Sequence, residues 1–306
     1  MSVAYNAGEH GYYPRTPIAE RAALTWPGGA RTAFAIVVSV EHYEMQPPAN
    51  AFMPPNVPGG FGRGPYPDYR VYSARAYGNR VGIYRVFEAL ERSGLRATVA
   101  LDALSAQLHP RLIEHIRRRD YEIIGHGLSV NRVISALMSE QEEQDYIRAS
   151  LDAIERACGI RPAGWHGPEY GESSRTPALL AQFGVSYVLD WPNDEQPITM
   201  ATPYGQLISI PMLIDFDDVY AQVHRRLTVE RWAQCVEDGI DQLIAEASGR
   251  LLVLNLHPWL IGHPFRSTYL AELLDRIAHK SGLWRTTTSE IAAWCRSQIA
   301  RPGGRS

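Results

Sequence analysis

The stretch VVSVEHYE, Val37 to Glu44, is the part of the sequence that decides the fold. It lies in an apolar run, Thr32 to Val40, and such a run without polar alternation predicts a strand buried on both faces of a sheet. The run ends abruptly in a carboxylate and an imidazole, Glu41 and His42. Polar side chains directly after a buried strand indicate that this strand end borders a functional site.

The same pattern recurs further along the chain. Short apolar runs stop at His126, His166 and His257, and amphipathic helical patterns such as residues 139–158 and 228–247 lie between them. Strands that alternate with helices predict a largely parallel sheet covered by helices on both faces. One such histidine alone would usually be a hydrogen-bonded structural residue. Four polar strand ends favour a shared site, because the carboxyl ends of parallel strands converge on one edge.

Composition narrows the class of protein. With 306 residues, 45% of them hydrophobic, the chain can bury one large core, so we expect a single domain over residues 31–298 after an N-terminal segment, residues 1–30. The formal charge of -3 and the lack of a basic tract argue against nucleic acid as a partner. Three widely spaced cysteines indicate reduced thiols. We expect a soluble cytoplasmic protein, because the N-terminus lacks a signal-peptide pattern and no apolar stretch approaches the roughly 20 residues that span a bilayer.

One region is rich in proline and glycine. It lies between Met45 and Tyr72, where these residues disfavour both helix and central strand, so a long loop is predicted. Its aromatic residues favour a packed cover over the mouth of the sheet rather than a disordered insertion. The segment from Trp191 to Met200 is expected to help cover the same mouth.

The order of the segments resembles the polysaccharide deacetylase superfamily, which has the NodB homology fold. The segments are the strand ending in Glu41 and His42, then IIGHG (Ile123 to Gly127), GWHGPEYGES (Gly164 to Ser173) and NLHPWLIGHPFR (Asn255 to Arg266). AYGNRVGIYRVFEALERSGLRATV, Ala76 to Val99, is similar to a helix and strand of the allantoinase branch, whose members hydrolyse ring amides and ureides. The resemblance covers most of residues 31–294. It implies a distorted (β/α) barrel of about seven strands, hydrolysis of a carbon–nitrogen bond and a homo-oligomer.

The resemblance also implies roles for the residues at matching positions. Glu41 falls at the superfamily's general base, and His257 at the histidine that acts as general acid. His126 matches the first histidine of a metal-binding HxxxH pair, and His42 stands where the superfamily has a metal-binding carboxylate. His166 occupies a position where many deacetylases carry an arginine.

The metal site departs from the superfamily pattern. The second histidine of the pair is replaced by Val130, which cannot ligate a metal ion, and Asn131 beside it is a poor substitute. Two interpretations stay open for His42 and His126: they bind one divalent, zinc-like ion, or they donate hydrogen bonds without metal. Adjacent residues on a strand point to opposite faces, so Glu41 and His42 meet one ion only if the backbone turns at the strand end.

Elementary chemistry supports an acid and a base at these strand ends. Amide hydrolysis needs an activated water, a stabilised oxyanion and a proton for the leaving nitrogen. At an apolar strand end Glu41 is expected to have a raised pKa and to take the proton from water. His257 is suited to protonate the nitrogen, because imidazole titrates near neutrality.

Further residues are candidates for substrate binding. Tyr77 and Arg80 would orient a polar substrate, with a helix-start ion pair as the equally weighted alternative. Glu172 is interpreted as a solvated turn residue, and the aspartates of PMLIDFDDVY as part of a loop beside the pocket rather than as metal ligands. The remaining substrate-binding candidates are Glu169, Trp165 and Asn131, and those loop aspartates are Asp215, Asp217 and Asp218.

The sequence thus predicts a hydrolase that opens a small cyclic amide, imide or ureide. A covered, largely apolar pocket favours a small ligand over a polysaccharide. An N-deacetylase of an acetylated amine or amino sugar is the enzymatic alternative. A catalytically inactive barrel kept for binding is the third, although such a barrel has no physical need for polar groups at four strand ends.

Overall fold

A computed structural model describes residues 10–21, 24–49, 51–53, 65–246 and 249–299. Its strands, named β1 to β9 in chain order, belong to one curled sheet flanked by helices. They are Thr32–Val40, Thr98–Leu101, Glu122–Gly125, Gly164–Trp165, Tyr187–Val188, Ile198–Thr202, Gly205–Ser209, Arg250–Leu256 and Leu283–Thr286. The helices, α1 to α10, are Tyr69–Tyr77, Ile83–Ser93, Ala103–Leu108, Pro110–Arg118, Glu140–Cys158, Thr176–Gln182, Val229–Ala245, Pro258–Ile261, Pro264–His279 and Thr288–Ile299.

The sheet is parallel except for one hairpin. Eight strands follow the order β6-β7-β5-β4-β3-β2-β1-β8, and only the β6–β7 pair is antiparallel among the described strands. The ninth strand, β9, pairs with the first half of β1, and β2 pairs with the second half. The predicted distorted barrel of the NodB type is confirmed, with nine described strands where about seven were expected.

The long strand β1 is covered on both faces of the sheet. All nine residues of β1 are buried, as expected for a parallel strand covered on both faces. Its larger side chains pack with the helices outside the sheet, and its smaller ones, such as Ala33 and Ala35, pack in the cluster that includes α10. This alternation follows from the two-residue repeat of a strand.

Several helix ends follow from local sequence. Ser139 caps α5 in a capping box with Glu142, and Gly159 ends that helix in the left-handed conformation. Gly94 ends α2 in the same way. No helix in the described part of the chain is both long enough and apolar enough to cross a bilayer.

Two segments were predicted to cover the mouth of the sheet, and the structure differs from both predictions. Trp191 to Met200 was expected to cover the mouth, but residues 198–202 form the edge strand β6 because they pair with β7. The proline-rich loop was expected to run to Tyr72, whereas α1 begins at Tyr69 with Asp68 as its cap. The middle of the loop, residues 54–64, lies outside the described residues.

Candidate active site

Four strand ends bring their polar side chains to one cavity. Glu41 follows β1, and His126, His166 and His257 follow β3, β4 and β8. Parallel pairing places these ends on the same edge of the sheet, and all four residues line a cavity of about 220 Å³. The structure therefore brings together the four residues predicted to be catalytic.

Glu41 lies between two histidines and an arginine. Its Oε1 atom is 3.5 Å from His126 Nε2 and 3.8 Å from His257 Nε2, and its Oε2 atom is 3.5 Å from Arg75 Nη1. Burial alone would raise the pKa of Glu41, but the hydrogen bond from His126 and the charges of His257 and Arg75 lower it to about 2. The expected raised pKa is thus wrong, because three cationic or donor groups outweigh desolvation, and Glu41 is a carboxylate at neutral pH.

His257 forms a dyad with an aspartate. Its Nδ1 atom donates to Asp218 Oδ1 at 2.7 Å, and its backbone N–H donates to the same carboxylate. Burial would lower the pKa of His257, but the charges of Asp217 and Asp218 raise it to about 10. The Nε2 atom of His257 therefore carries a proton at neutral pH and faces Glu41.

His126 and His166 stack on one another with ring centroids 4.9 Å apart. The strand register puts Gly125 opposite Trp165, so the residues that follow them are neighbours. The Nδ1 atom of His126 donates to the His166 carbonyl at 2.6 Å, and the Nδ1 atom of His166 donates to Asp190 at 2.8 Å. Burial and the nearby charges of His126 and His257 hold the pKa of His166 well below its usual range, so His166 is a neutral imidazole.

The rest of the cavity is mainly polar. Glu169 lies at its exposed rim, where desolvation and the charge of Glu41 raise the pKa of Glu169 to about 7. Glu169 and Tyr170 both have a positive φ, 54° and 57°, which is uncommon for residues other than glycine and is often found at functional sites. The other lining residues include Arg75, Ile214, Asp217, Val219, Tyr220, His224 and Asn255.

Five predicted site residues lie elsewhere. The His42 ring lies near His109 and Tyr72, because strand alternation turns it away from Glu41. Asn131 bridges backbone atoms of Glu44 and Phe52, which is a structural role.

The other three were predicted to contact substrate. Tyr77 stacks on His263 with ring centroids 4.4 Å apart, and Arg80 is exposed on the turn that follows α1. Trp165 is fully buried in the core behind β4. None of the three lines the cavity.

Several residues at the site were not predicted from the sequence. Arg75 lies on α1, in a region where the nearby prolines obscured a helix. Asp217 and Asp218 were assigned to a pocket-side loop, and the structure connects both to the cavity through Asn255 and His257. A cap pattern at Asp68 would have revealed α1, whereas nothing local in the sequence pairs Asp218 with a histidine 39 residues away.

A metal ion fits the arrangement poorly. Among the described residues, one group has three ligand atoms within 4.8 Å of one another, and it consists of Asp217, Asp218 and His257. The atoms that would bind the metal already form hydrogen bonds. Asp218 accepts the His257 Nδ1–H, and Asp217 accepts from Asn255 and from two backbone N–H groups. The superfamily-type set fails as well, because Val130 offers no ligand and His42 faces away. The reaction proposed below uses no metal ion.

Residues 76–188 match the family model described as polysaccharide deacetylase. This match assigns a polysaccharide deacetylase domain to that part of the chain. A predicted polysaccharide deacetylase of Schizosaccharomyces pombe is 22% identical over 304 residues, which cover 88% of this chain and 92% of the relative.

Two solved structures are similar in fold to nearly the whole of this chain. PuuE allantoinase superposes with a TM-score of 0.83 at 22% identity, covering 95% of this chain and 99% of the other. A predicted polysaccharide deacetylase from Pseudomonas aeruginosa PAO1 gives 0.82 at 22% identity, covering 95% and 100%. At this identity the two likenesses show the fold.

Proposed function

We propose that the protein hydrolyses non-peptide carbon–nitrogen bonds by opening a small cyclic amide, imide or ureide. One observation carries the proposal: an ionised Glu41 lies 3.8 Å from the Nε2 atom of a protonated His257 in the lining of a small cavity at the carboxyl edge of the sheet. Groups whose environments drive their pKa values apart are the usual acid and base of an active site.

The size of the cavity supports a small substrate. About 220 Å³ is the space of roughly seven water molecules at about 30 Å³ each, below the roughly 300–1,000 Å³ of pockets for larger ligands. A five- or six-membered ring fits that space, whereas a polysaccharide chain needs an open groove. The similarity to a solved allantoinase supports the same class of substrate.

The proposed reaction has two proton transfers. Water attacks the ring carbonyl carbon while Glu41 takes one of its protons. The carbon–nitrogen bond then breaks as the Nε2–H of His257 protonates the leaving nitrogen, which gives a ring-opened acid. A carboxylate of pKa about 2 is a weak base, so Glu41 depends on its position beside the water and on stabilisation of the oxyanion by the positive charge of Arg75.

Mass spectrometry of the purified protein tests the proposal. The protein is incubated with hydantoins, succinimide-type imides, allantoin and N-acetylated amines. We expect one or more rings to gain one water without fragmentation. Loss of an acetyl group would support the N-deacetylase instead, and no turnover of any compound would favour the inactive barrel.

A further inference from the structure

Two acidic side chains with buried carboxyl oxygens lie behind His166. Asp190, just after β5, has a fully buried side chain whose Oδ1 atom accepts from His166 Nδ1 and from the backbone N–H of Gly167, both at 2.8 Å. The next acidic group is Glu172, whose Oε2 atom accepts from Trp191 Nε1 at 2.7 Å. Neither carboxyl group takes part in the reaction proposed above.

One oxygen of each of these two carboxyl groups has no hydrogen-bond partner among the described residues. Asp190 Oδ2 and Glu172 Oε1 are both buried and accept no hydrogen bond, and the two carboxyl groups lie close enough for each to shift the pKa of the other. Two ionised carboxylates offer only acceptors and repel one another. One proton between these two oxygens satisfies both of them.

The surrounding donors decide which group holds the proton. Two N–H groups stabilise the charge of Asp190, whereas in the described part of the chain only Trp191 donates to Glu172. Burial raises the pKa of both groups, and the neighbouring charge of Asp190 raises that of Glu172 further, well above its usual range. Glu172 is therefore the neutral partner.

We propose that protonated Glu172 donates to Asp190 and thereby holds His166 as the Nδ1–H tautomer, with the Nε2 lone pair available to position the attacking water in the cavity. The attacking water has two O–H groups, so it can donate to Glu41 and to His166 together and keep a lone pair for the carbonyl carbon. The role for water rests on the proposed hydrolysis, whereas the proton on Glu172 and the tautomer of His166 do not.

Spectroscopy without substrate tests the proton and the tautomer. The variants are compared in a Glu169→Gln background, because Glu169 has a pKa of about 7 and would contribute a carbonyl band of its own. Infrared spectra of that background at pH 7 should contain a carbonyl band from a protonated carboxyl group, and Glu172→Gln should remove it. The matched control is Glu143→Gln, because Glu143 is a fully buried glutamate whose carboxylate accepts from Ser173, Thr176 and Arg175. Glu143→Gln should keep the band. Nitrogen NMR of labelled histidines, assigned with His166→Gln, should show His166 unprotonated at Nε2.

Stability gives a second comparison. Glutamine keeps the hydrogen bonds of a neutral acid, so Glu172→Gln should leave the unfolding midpoint nearly unchanged, whereas Glu143→Gln should lower it. A band that persists in Glu172→Gln, or a proton on Nε2 of His166, would overturn the inference. So would an equal loss of stability in the two variants.

Turnover separates this inference from the proposed function. With a ring substrate, Glu172→Gln should keep kcat, and Glu172→Met should lower kcat about tenfold to a hundredfold with little change in KM, in the range found for residues that orient a functional histidine. Unchanged kcat in Glu172→Met would refute the positioning role while the hydrolase proposal stands. The predicted band and tautomer without turnover of any ring would refute the proposed hydrolysis alone.

Discussion

Glu41 and Glu44 are close in sequence but have different partners. Glu41 faces the cavity, whereas Glu44 accepts two bonds from Arg132, at 2.7 and 2.9 Å, and one from Ser129. If Glu41 is the base, Glu41→Gln should lower kcat about 10²- to 10⁴-fold, because an amide cannot take the proton from water. Initial rates on a ring substrate measure this.

Glu44→Gln is the matched control for Glu41→Gln. It breaks the bidentate pair with Arg132, so it should lower the unfolding midpoint while folded protein keeps its activity. Equal turnover in Glu41→Gln and wild type would remove Glu41 from the mechanism.

Asp218 should set the alkaline limit of the reaction. The general acid His257 must be protonated, so the wild-type rate should fall as the pH rises through about 10. Asp218→Asn removes one of the charges that raise the pKa of His257 but keeps an oxygen acceptor for its Nδ1–H. The alkaline limb of kcat/KM should therefore move to lower pH.

The control for this shift lies in the same motif. Asp215 is exposed and pairs with Arg225, away from His257. Asp215→Asn should leave the pH profile unchanged. An alkaline limb that stays in place in Asp218→Asn would show that another group donates the proton.

At the scale of elements, the helical turn of residues 78–82, between α1 and α2, must lie very close to α8. A Cβ atom on Gly82 would be 2.1 Å from the carbonyl oxygen of Pro258, the residue that follows His257. Gly82→Ala must push the two backbones apart, at a cost of about 1–3 kcal/mol in the free energy of unfolding. It should also lower kcat, because His257 and the Trp259 ring under Arg75 move with α8.

Gly94→Ala is the comparison for Gly82→Ala. Gly94 has a φ of 66° and open space around its Cβ position, so alanine there costs only about 1–2 kcal/mol of backbone strain. Activity should be kept. If Gly82→Ala also kept full activity, α8 would not control the position of His257.

The elements differ in how well the sequence predicts them. Continuous apolar runs predicted β1 and β8, and helical periodicity predicted α5, each to within a residue or two. The edge strand β6 was missed because half-exposed residues next to prolines carry little apolar pattern. The sheet-end site was predictable from apolar runs that stop at a charged or aromatic polar residue.

At the scale of the whole molecule, only some contacts between residues far apart in the sequence could be predicted. Glu41 and His257 are 216 residues apart, yet both follow apolar strands, so their meeting could be predicted from the parallel sheet alone. The Asp190 and Asp218 carboxylates reach the histidines from segments with irregular structure. Periodicity says nothing about where such segments fold. The low pKa of Glu41 depends first on the hydrogen bond from His126 and the charge of His257, and then on Arg75 from α1, which the sequence did not place at the site.

The N-terminal segment offers a test of how the molecule is assembled. The sequence left two roles for residues 1–30, contact with another subunit or packing on their own barrel. In the described part, Trp26 is 2% exposed and its Nε1 atom donates to the Arg250 carbonyl at 2.6 Å, while Arg21 pairs with Asp194. These contacts favour packing within one chain.

Trp26→Ala should therefore lower the free energy of unfolding by about 3–5 kcal/mol, as expected for removal of a buried tryptophan. The loss should be the same at low and high protein concentration, because a contact within one chain does not depend on concentration. Denaturant unfolding at two concentrations, with light scattering to record the oligomeric state, measures both. A loss that shrinks at high concentration would instead assign the segment to a subunit interface and would support the proposed homo-oligomer.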